Sequence, residues 1–154
     1  MGKSLIITEK PSVAQEFAKV LGVSGGRRDG YLENQKYVIT WCVGHLVAMV
    51  YPESYDIKYK KWKLEDLPFL PKEYKYDVIK DVSRQYDVVH GMLMREDIDR
   101  VYWAGDAGKE GQTIEENIRN FGGVRDSIRY CSGLFKCQRW SRTSQKSVVK
   151  NVYC

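Results

Sequence analysis

The apolar residues of the chain follow two different spacings. Compact apolar runs, typical of buried strands, lie at residues 4–8, 36–43, 100–105 and 127–131. Apolar residues at helical spacing lie between them, at residues 11–21, 76–95 and 114–121. Alternating strands and helices predict an α/β fold, with a mostly parallel central sheet of about four strands flanked by helices.

Local signals predict where the first helix begins and ends. Pro11 has a backbone angle that suits the start of a helix, and Gly22 supplies a stop. Ser12 is a candidate cap, with Gln15 completing a capping box. Residues 51–75 contain three prolines among many lysines and aromatic residues, which predicts an extended, ordered loop without regular structure.

Charge divides the chain unevenly. The net charge is +5, yet no acidic residue follows Asp126, whereas six basic residues do. Residues 1–126 therefore carry 19 basic and 20 acidic residues, a net charge of −1. We expect one domain over residues 1–131 and a basic tail over residues 132–154. The net charge is only weak support for a nucleic-acid surface on the domain.

Hydropathy argues against a membrane protein. No apolar run approaches the roughly 18 residues of a membrane helix, and the start of the chain lacks a signal-peptide cleavage site. We expect a cytoplasmic protein without a membrane partner. The four cysteines lack the spacing of a structural zinc site, so reduced thiols are the simplest interpretation.

Polar clusters follow three of the predicted strands. Glu9 and Lys10 follow the first, His45 follows the second, and Asp106 begins an acidic segment after the third. Ligands of open α/β sheets bind beyond the carboxyl ends of the strands. We therefore expect these clusters to converge on one site.

Asp106 and Glu110 are four residues apart across a predicted strand-to-helix turn. Such a turn can bring two carboxylates together, as Mg²⁺ requires, and the glycines at 105, 108 and 111 allow the backbone to bend. The alternative is an acidic turn in which Asp106 only caps the helix.

Glu9 is a candidate general acid or base, and Lys10 and the following helix N-terminus are candidates for holding a phosphate. An ordinary charged loop is the alternative. His45 is a weaker catalytic candidate, because an isolated histidine is often a hydrogen-bonded structural residue.

Several segments resemble a known family, in the order in which the family has them. LIITEKPSVAQEFAKVLG, WCVGHLVAM, the LPFLP run and AGDAGKEGQTI are similar to the Toprim domain of bacterial and archaeal topoisomerase III-like enzymes, which are type IA DNA topoisomerases. The resemblance covers about four-fifths of the chain, and the combination of motifs is specific.

The resemblance implies a chemistry for individual residues. Glu9 matches the glutamate at the cleavage site, and Lys10 matches a lysine near the scissile phosphate. His45 stays a catalytic candidate because of its position beside the predicted site. Asp106 and Glu110 match the first and third acids of a motif that holds Mg²⁺, and we include Glu9 in the metal set. We expect Lys10, Ser12 and Lys109 to contact DNA. The implied partners are single-stranded DNA and the remaining domains of a longer topoisomerase.

Two departures leave other functions open. Gly108 stands where the motif has its second acid, and Lys109 replaces the usual arginine. No tyrosine here matches the family's nucleophile, which the resemblance places in another domain. The alternatives are a Toprim nuclease or primase-like enzyme, and a non-catalytic nucleic-acid-binding Toprim module.

Overall fold

The computed structural model describes residues 2–23, 29–106, 108–123 and 129–132. In chain order the helices and strands are β1 (Lys3–Thr8), α1 (Pro11–Leu21), β2 (Tyr31–Glu33), β3 (Tyr37–Trp41), β4 (Val47–Met49), β5 (Tyr76–Val78), α2 (Ser83–Leu93), β6 (Ile98–Ala104), α3 (Lys109–Gly122) and β7 (Arg129–Ser132). Within these residues, no helix has the length and apolarity needed to cross a membrane.

The main sheet has five strands in the order β2-β3-β1-β6-β7. β1 lies at the centre and pairs in parallel with β3 and β6, and β6 pairs in parallel with β7. Only β2 is antiparallel, at one edge. The predicted α/β fold with a mostly parallel sheet is confirmed. The fifth strand and the separate β4–β5 pair were not predicted, because three-residue strands are too short to show a period.

The sheet is covered on both faces, and β1 shows how. Leu5 and Ile7 are fully buried in a core that also holds Leu93 of α2 and Ile114 of α3. Ile6 points the other way, into a cluster formed with residues of α1. Successive side chains of a strand point to opposite faces, so this apolar run serves both cores. Burial of each large side chain contributes about 1.5–3 kcal/mol and fixes the strand in the middle of the domain.

Two predictions about helix starts were wrong. The helix predicted over residues 76–95 begins at Ser83, because residues 76–78 form β5 and pair with β4. Ser12 does not cap α1: Pro11 is the first helical residue, so the cap position falls on Lys10, which makes no side-chain capping bond. The predicted stop is confirmed, since Gly22 ends α1 in the left-handed conformation with φ 65°.

Residues 51–75 form an ordered segment, but not one without regular structure. Three short 3₁₀ helices occur there, at Pro52–Ser54, Ile57–Lys60 and Leu64–Asp66. The rings of Tyr55 and Tyr59 both pack edge-on against Phe69. Of the predicted tail, residues 133–154 lie outside the described residues, and Ser132 ends β7. The boundary after residue 131 stays a prediction.

An ion-pair cluster lies at the amino ends of the central strands. Arg95 Nη2 is 2.6 Å from Glu33 Oε1 and 2.7 Å from Asp97 Oδ2, and Lys3 Nζ is 2.6 Å from Glu33 Oε1. Hydrogen bonding to Arg95 lowers the pKa of Asp97 to about 2. Arg95, and after it Lys3, also lower the pKa of Glu33.

We expect acid to weaken the fold through this cluster. Both carboxyl pKa values are lower in the folded chain than the ordinary value of about 4. Their contribution is therefore complete above about pH 4 and is lost as the pH falls toward 2. In thermal unfolding between pH 7 and pH 2, the melting temperature of the unmodified chain should fall more steeply below pH 4 than that of Asp97→Asn. Asp87→Asn, at an exposed position of α2, should keep the full acid dependence. Equal slopes for all three would contradict the assignment.

Candidate functional site

The register of the central strands brings three chain segments to one edge. Thr8, the last residue of β1, lies level with Trp41 of β3 and Ala104 of β6. The residues that follow each strand therefore emerge side by side at the carboxyl edge. They include Glu9 and Asp106, which are 97 positions apart in the sequence.

Glu9 is an acid held in place by the backbone. It is only 8% exposed, and its Oε2 accepts a hydrogen bond from the backbone N–H of Asp106 at 3.1 Å. The buried hydroxyl of Thr8 donates to the carbonyl oxygen of Lys10 at 3.0 Å, which fixes the bend that follows β1. One carboxylate oxygen of Glu9 is thus fixed by the loop that follows β6, and the other faces Lys10.

The ammonium of Lys10 forms ion pairs with the carboxylates of both Glu9 and Asp106. Its Nζ lies 3.1 Å from Asp106 Oδ2 and 3.8 Å from Glu9 Oε1. Asp106, and after it Glu9, raise the pKa of Lys10 above its ordinary value. The amine is therefore a cation at any physiological pH.

The turn from β6 into α3 is tight at Gly111. A Cβ built on Gly111 would lie 2.4 Å from the carbonyl oxygen of Asp106, far inside van der Waals contact. That same carbonyl accepts a hydrogen bond from the backbone N–H of Gly108 at 2.9 Å. Only glycine allows α3 to approach the strand end this closely.

Glu110 and His45 face each other across the same edge. Glu110 lies in the first turn of α3, where a carboxylate is favoured by the helix dipole, and its Oε1 is 3.8 Å from His45 Nε2. His45 follows Gly44, whose φ of 96° turns the chain after β3. Gln85 of α2 donates to the carbonyl oxygen of Trp41 at 2.7 Å and supports the end of β3.

Ser12 and Lys109 are both exposed in the first turns of their helices, α1 and α3. Both helices begin at the carboxyl edge of the sheet. Helix N-termini present free N–H groups and positive potential, which suits an anion such as phosphate.

The carboxylates of Asp106, Glu110 and Glu9 are ligand types that suit a hard cation, but they do not converge on one point. Carboxylate oxygens are the ligands that Mg²⁺ prefers. Asp106 already pairs with a cation, the ammonium of Lys10. Asp106 contacts Lys10, however, while Glu110 contacts His45. Among the described residues, no three His, Cys, Asp or Glu side chains converge as a metal-ion site. The metal set Asp106, Glu110 and Glu9 stays a prediction.

Three residues beside the site were not predicted: Thr8, Cys42 and Gln85. Cys42 is fully buried after β3, and burial, with Glu9 as a lesser cause, raises the pKa of its thiol far above the ordinary value. It is therefore an uncharged packing residue. Thr8 could have been predicted, because its hydroxyl lies at a strand end beside a charged pair. Nothing in the sequence indicates that Gln85 of α2 reaches the end of β3.

Comparison with known proteins agrees with this geometry. A family model described as the Toprim domain matches residues 4–137. The chain belongs to the Toprim domain family. The resemblance drawn from the sequence motifs is thereby confirmed.

Named relatives narrow the comparison to one kind of Toprim protein. A protein of Bacillus thuringiensis (strain Al Hakam) named DNA topoisomerase 3 is 50% identical over 114 residues, 74% of this chain and 16% of that protein. A protein of the same name from Staphylococcus haemolyticus is 47% identical over 116 residues, 75% of this chain and 16% of its own length. A third, from Shouchella clausii, is 43% identical over 129 residues, 84% of this chain and 18% of its own. This Toprim chain thus spans less than a fifth of the length of these relatives.

Proposed function

We propose that the chain is the Toprim portion of a type IA, topoisomerase III-like enzyme, which takes part in cutting and rejoining one strand of DNA in the cytoplasm. One observation carries the proposal. A buried carboxylate, Glu9, is fixed by the backbone of Asp106 beside the ammonium of Lys10, in a chain 50% identical to proteins named DNA topoisomerase 3. The attacking tyrosine would come from another domain of such an enzyme.

Glu9 is the proposed proton-transfer group. When the phosphodiester is cut, the sugar oxygen that leaves phosphorus needs a proton, and the same proton must be removed when that oxygen attacks again. A carboxyl group held within reach can do both. The hydrogen bond from Asp106 N fixes one oxygen of Glu9 and leaves the other directed toward Lys10. His45 lies on the same edge and is the secondary candidate.

Lys10 is the proposed phosphate ligand, with Ser12 and Lys109 as further DNA contacts. The ammonium is a point charge on a flexible stem, more than half exposed, at the start of α1. Together with the helix N-terminus it offers charge and N–H donors to a phosphate oxygen. Single-stranded DNA is the proposed ligand.

Asp106 and Glu110, with Glu9 nearby, are the proposed holders of Mg²⁺. A bound Mg²⁺ would offset negative charge on the phosphate during rejoining. Gly108 supplies no side-chain ligand between them, so water would complete the shell and binding would be weak.

A Mg²⁺ titration of the 154-residue chain by calorimetry tests the metal assignment. We expect weak, saturable binding, with an affinity reduced about tenfold or more by Asp106→Asn, since one of the few carboxylate ligands loses its charge. Asp87→Asn removes the same charge from α2 and should leave the affinity unchanged. Equal affinities for the Asp106 variant and the unmodified chain would overturn the assignment, and metal-dependent nicking of DNA by the chain alone would favour a nuclease.

A further inference from the structure

Lys10 lies between the two carboxylates closest to the end of β1. Its Nζ is 3.1 Å from Asp106 Oδ2 and 3.8 Å from Glu9 Oε1. The carboxylate of Glu9 is itself tied to Asp106 through the backbone N–H of that residue at 3.1 Å. The ammonium is therefore the cation that balances these two acids in the free domain.

A divalent cation and this ammonium would compete for the same oxygen. Mg²⁺ requires its ligand oxygens at about 2.0–2.1 Å and in near-octahedral array. An ammonium hydrogen-bonded to Asp106 Oδ2 would then lie beside the double positive charge of Mg²⁺, and the two cations would repel each other. The stem of Lys10 is flexible and more than half exposed. Its head can therefore leave Asp106 without disturbing the fold.

We propose that Lys10 is a built-in competitor that keeps the Mg²⁺ affinity of the free domain low until a phosphate of the DNA draws it away from Asp106. This inference rests on the proposed function, because it assumes that Asp106 holds the metal and that Lys10 meets the phosphate. The consequence is reciprocal: DNA raises the affinity for Mg²⁺, and Mg²⁺ raises the affinity for DNA by the same factor. The site would then hold Mg²⁺ more tightly when its DNA substrate is bound.

Calorimetric Mg²⁺ titrations of the 154-residue chain and its Lys10→Met variant provide the first measurement. Methionine retains most of the length of the stem and removes the charge. We expect the variant to bind Mg²⁺ about fivefold more tightly, the size of an exposed ion pair. Lys19→Met is the matched control: Lys19 lies on the same helix, pairs with Glu16 at 3.6 Å and is outside the site. Its Mg²⁺ affinity should equal that of the unmodified chain.

The second measurement repeats the titrations with a saturating short oligothymidylate. The oligonucleotide should tighten Mg²⁺ binding about fivefold in the unmodified chain and in Lys19→Met. It should have a clearly smaller effect in Lys10→Met, because the competitor is already gone. If Lys10→Met acted only by removing a nearby positive charge, the variant would bind Mg²⁺ more tightly, but DNA would still raise its Mg²⁺ affinity as much as in the unmodified chain. An unchanged or weaker affinity in Lys10→Met, or an equal gain from DNA in all three proteins, would overturn the inference.

Asp106→Asn separates the two possible failures. If Mg²⁺ binding does not depend on Asp106, the proposed metal site itself is wrong and this inference falls with it. If binding depends on Asp106 but is indifferent to Lys10→Met, only the competition is wrong. Binding heat is the readout throughout, so neither outcome depends on an active topoisomerase.

Discussion

Glu9→Gln should slow strand cleavage and rejoining by about 10²-fold or more in a full-length enzyme that carries this Toprim domain. A suitable enzyme is a chimaera in which the chain replaces the homologous region of the Bacillus thuringiensis relative, with which it shares 50% identity over 114 residues. Glutamine keeps the size of the side chain and can still accept the hydrogen bond from Asp106 N. It cannot exchange a proton, however, so relaxation of supercoiled DNA should slow by about 10²-fold or more.

Glu16→Gln is the matched control for this loss. Glu16 lies on α1, is largely exposed and pairs only locally with Lys19 among the ion pairs of the described residues. Its variant should relax DNA at the unmodified rate. If Glu9→Gln relaxed DNA as fast as Glu16→Gln, proton transfer by Glu9 would be refuted, and Glu9 would be left with a structural part in fixing the Asp106 turn.

Gly111→Ala should have the largest effect on the fold at the site. The added methyl group would lie 2.4 Å from the backbone oxygen of Asp106, where no side-chain rotation can relieve the contact. α3 cannot simply move away, because Ile114 and Ile118 fix it in the core. We expect a loss of about 1–3 kcal/mol in the free energy of unfolding. Because the turn must move, Mg²⁺ binding that depends on Asp106 should also weaken.

Gly91→Ala isolates the steric part of that effect. Gly91 lies within α2, and a Cβ built on it meets nothing within 4 Å. Alanine there should raise the free energy of unfolding by about 0.5–1 kcal/mol, through helix propensity alone. Urea denaturation of both variants measures the difference. A Gly111 variant as stable as its Gly91 counterpart would show that the turn has room to relax.

The convergence of the site could be predicted from the sequence because it follows from topology. Glu9 and Asp106 each follow a strand of apolar residues, and the carboxyl ends of parallel strands share one edge. The contact between them, 97 positions apart, needed only the correct assignment of two strands. The family motifs then suggested the chemistry proposed for those positions.

Other features depended on information that short-range patterns do not hold. β2, β4 and β5 have three residues each, too few to show a period, and pairing alone makes them strands. The capping error was avoidable: a proline in the first helical position places the cap on the residue before it, here Lys10 rather than Ser12. The pairing of Lys10 with Asp106 could not be foreseen, since it depends on how two exposed side chains meet across the edge.

Relaxation of negatively supercoiled DNA by the chimaera, with its Toprim domain unmodified, tests whether this chain can serve as the Toprim portion of a type IA topoisomerase. We expect Mg²⁺-dependent relaxation by the chimaera and none by the 154-residue chain alone, because the proposed attacking tyrosine would come from the rest of the enzyme. A chimaera that folds and binds single-stranded DNA, yet fails to relax supercoiled DNA at any Mg²⁺ concentration, would contradict the proposal that this chain is the Toprim portion of a type IA topoisomerase.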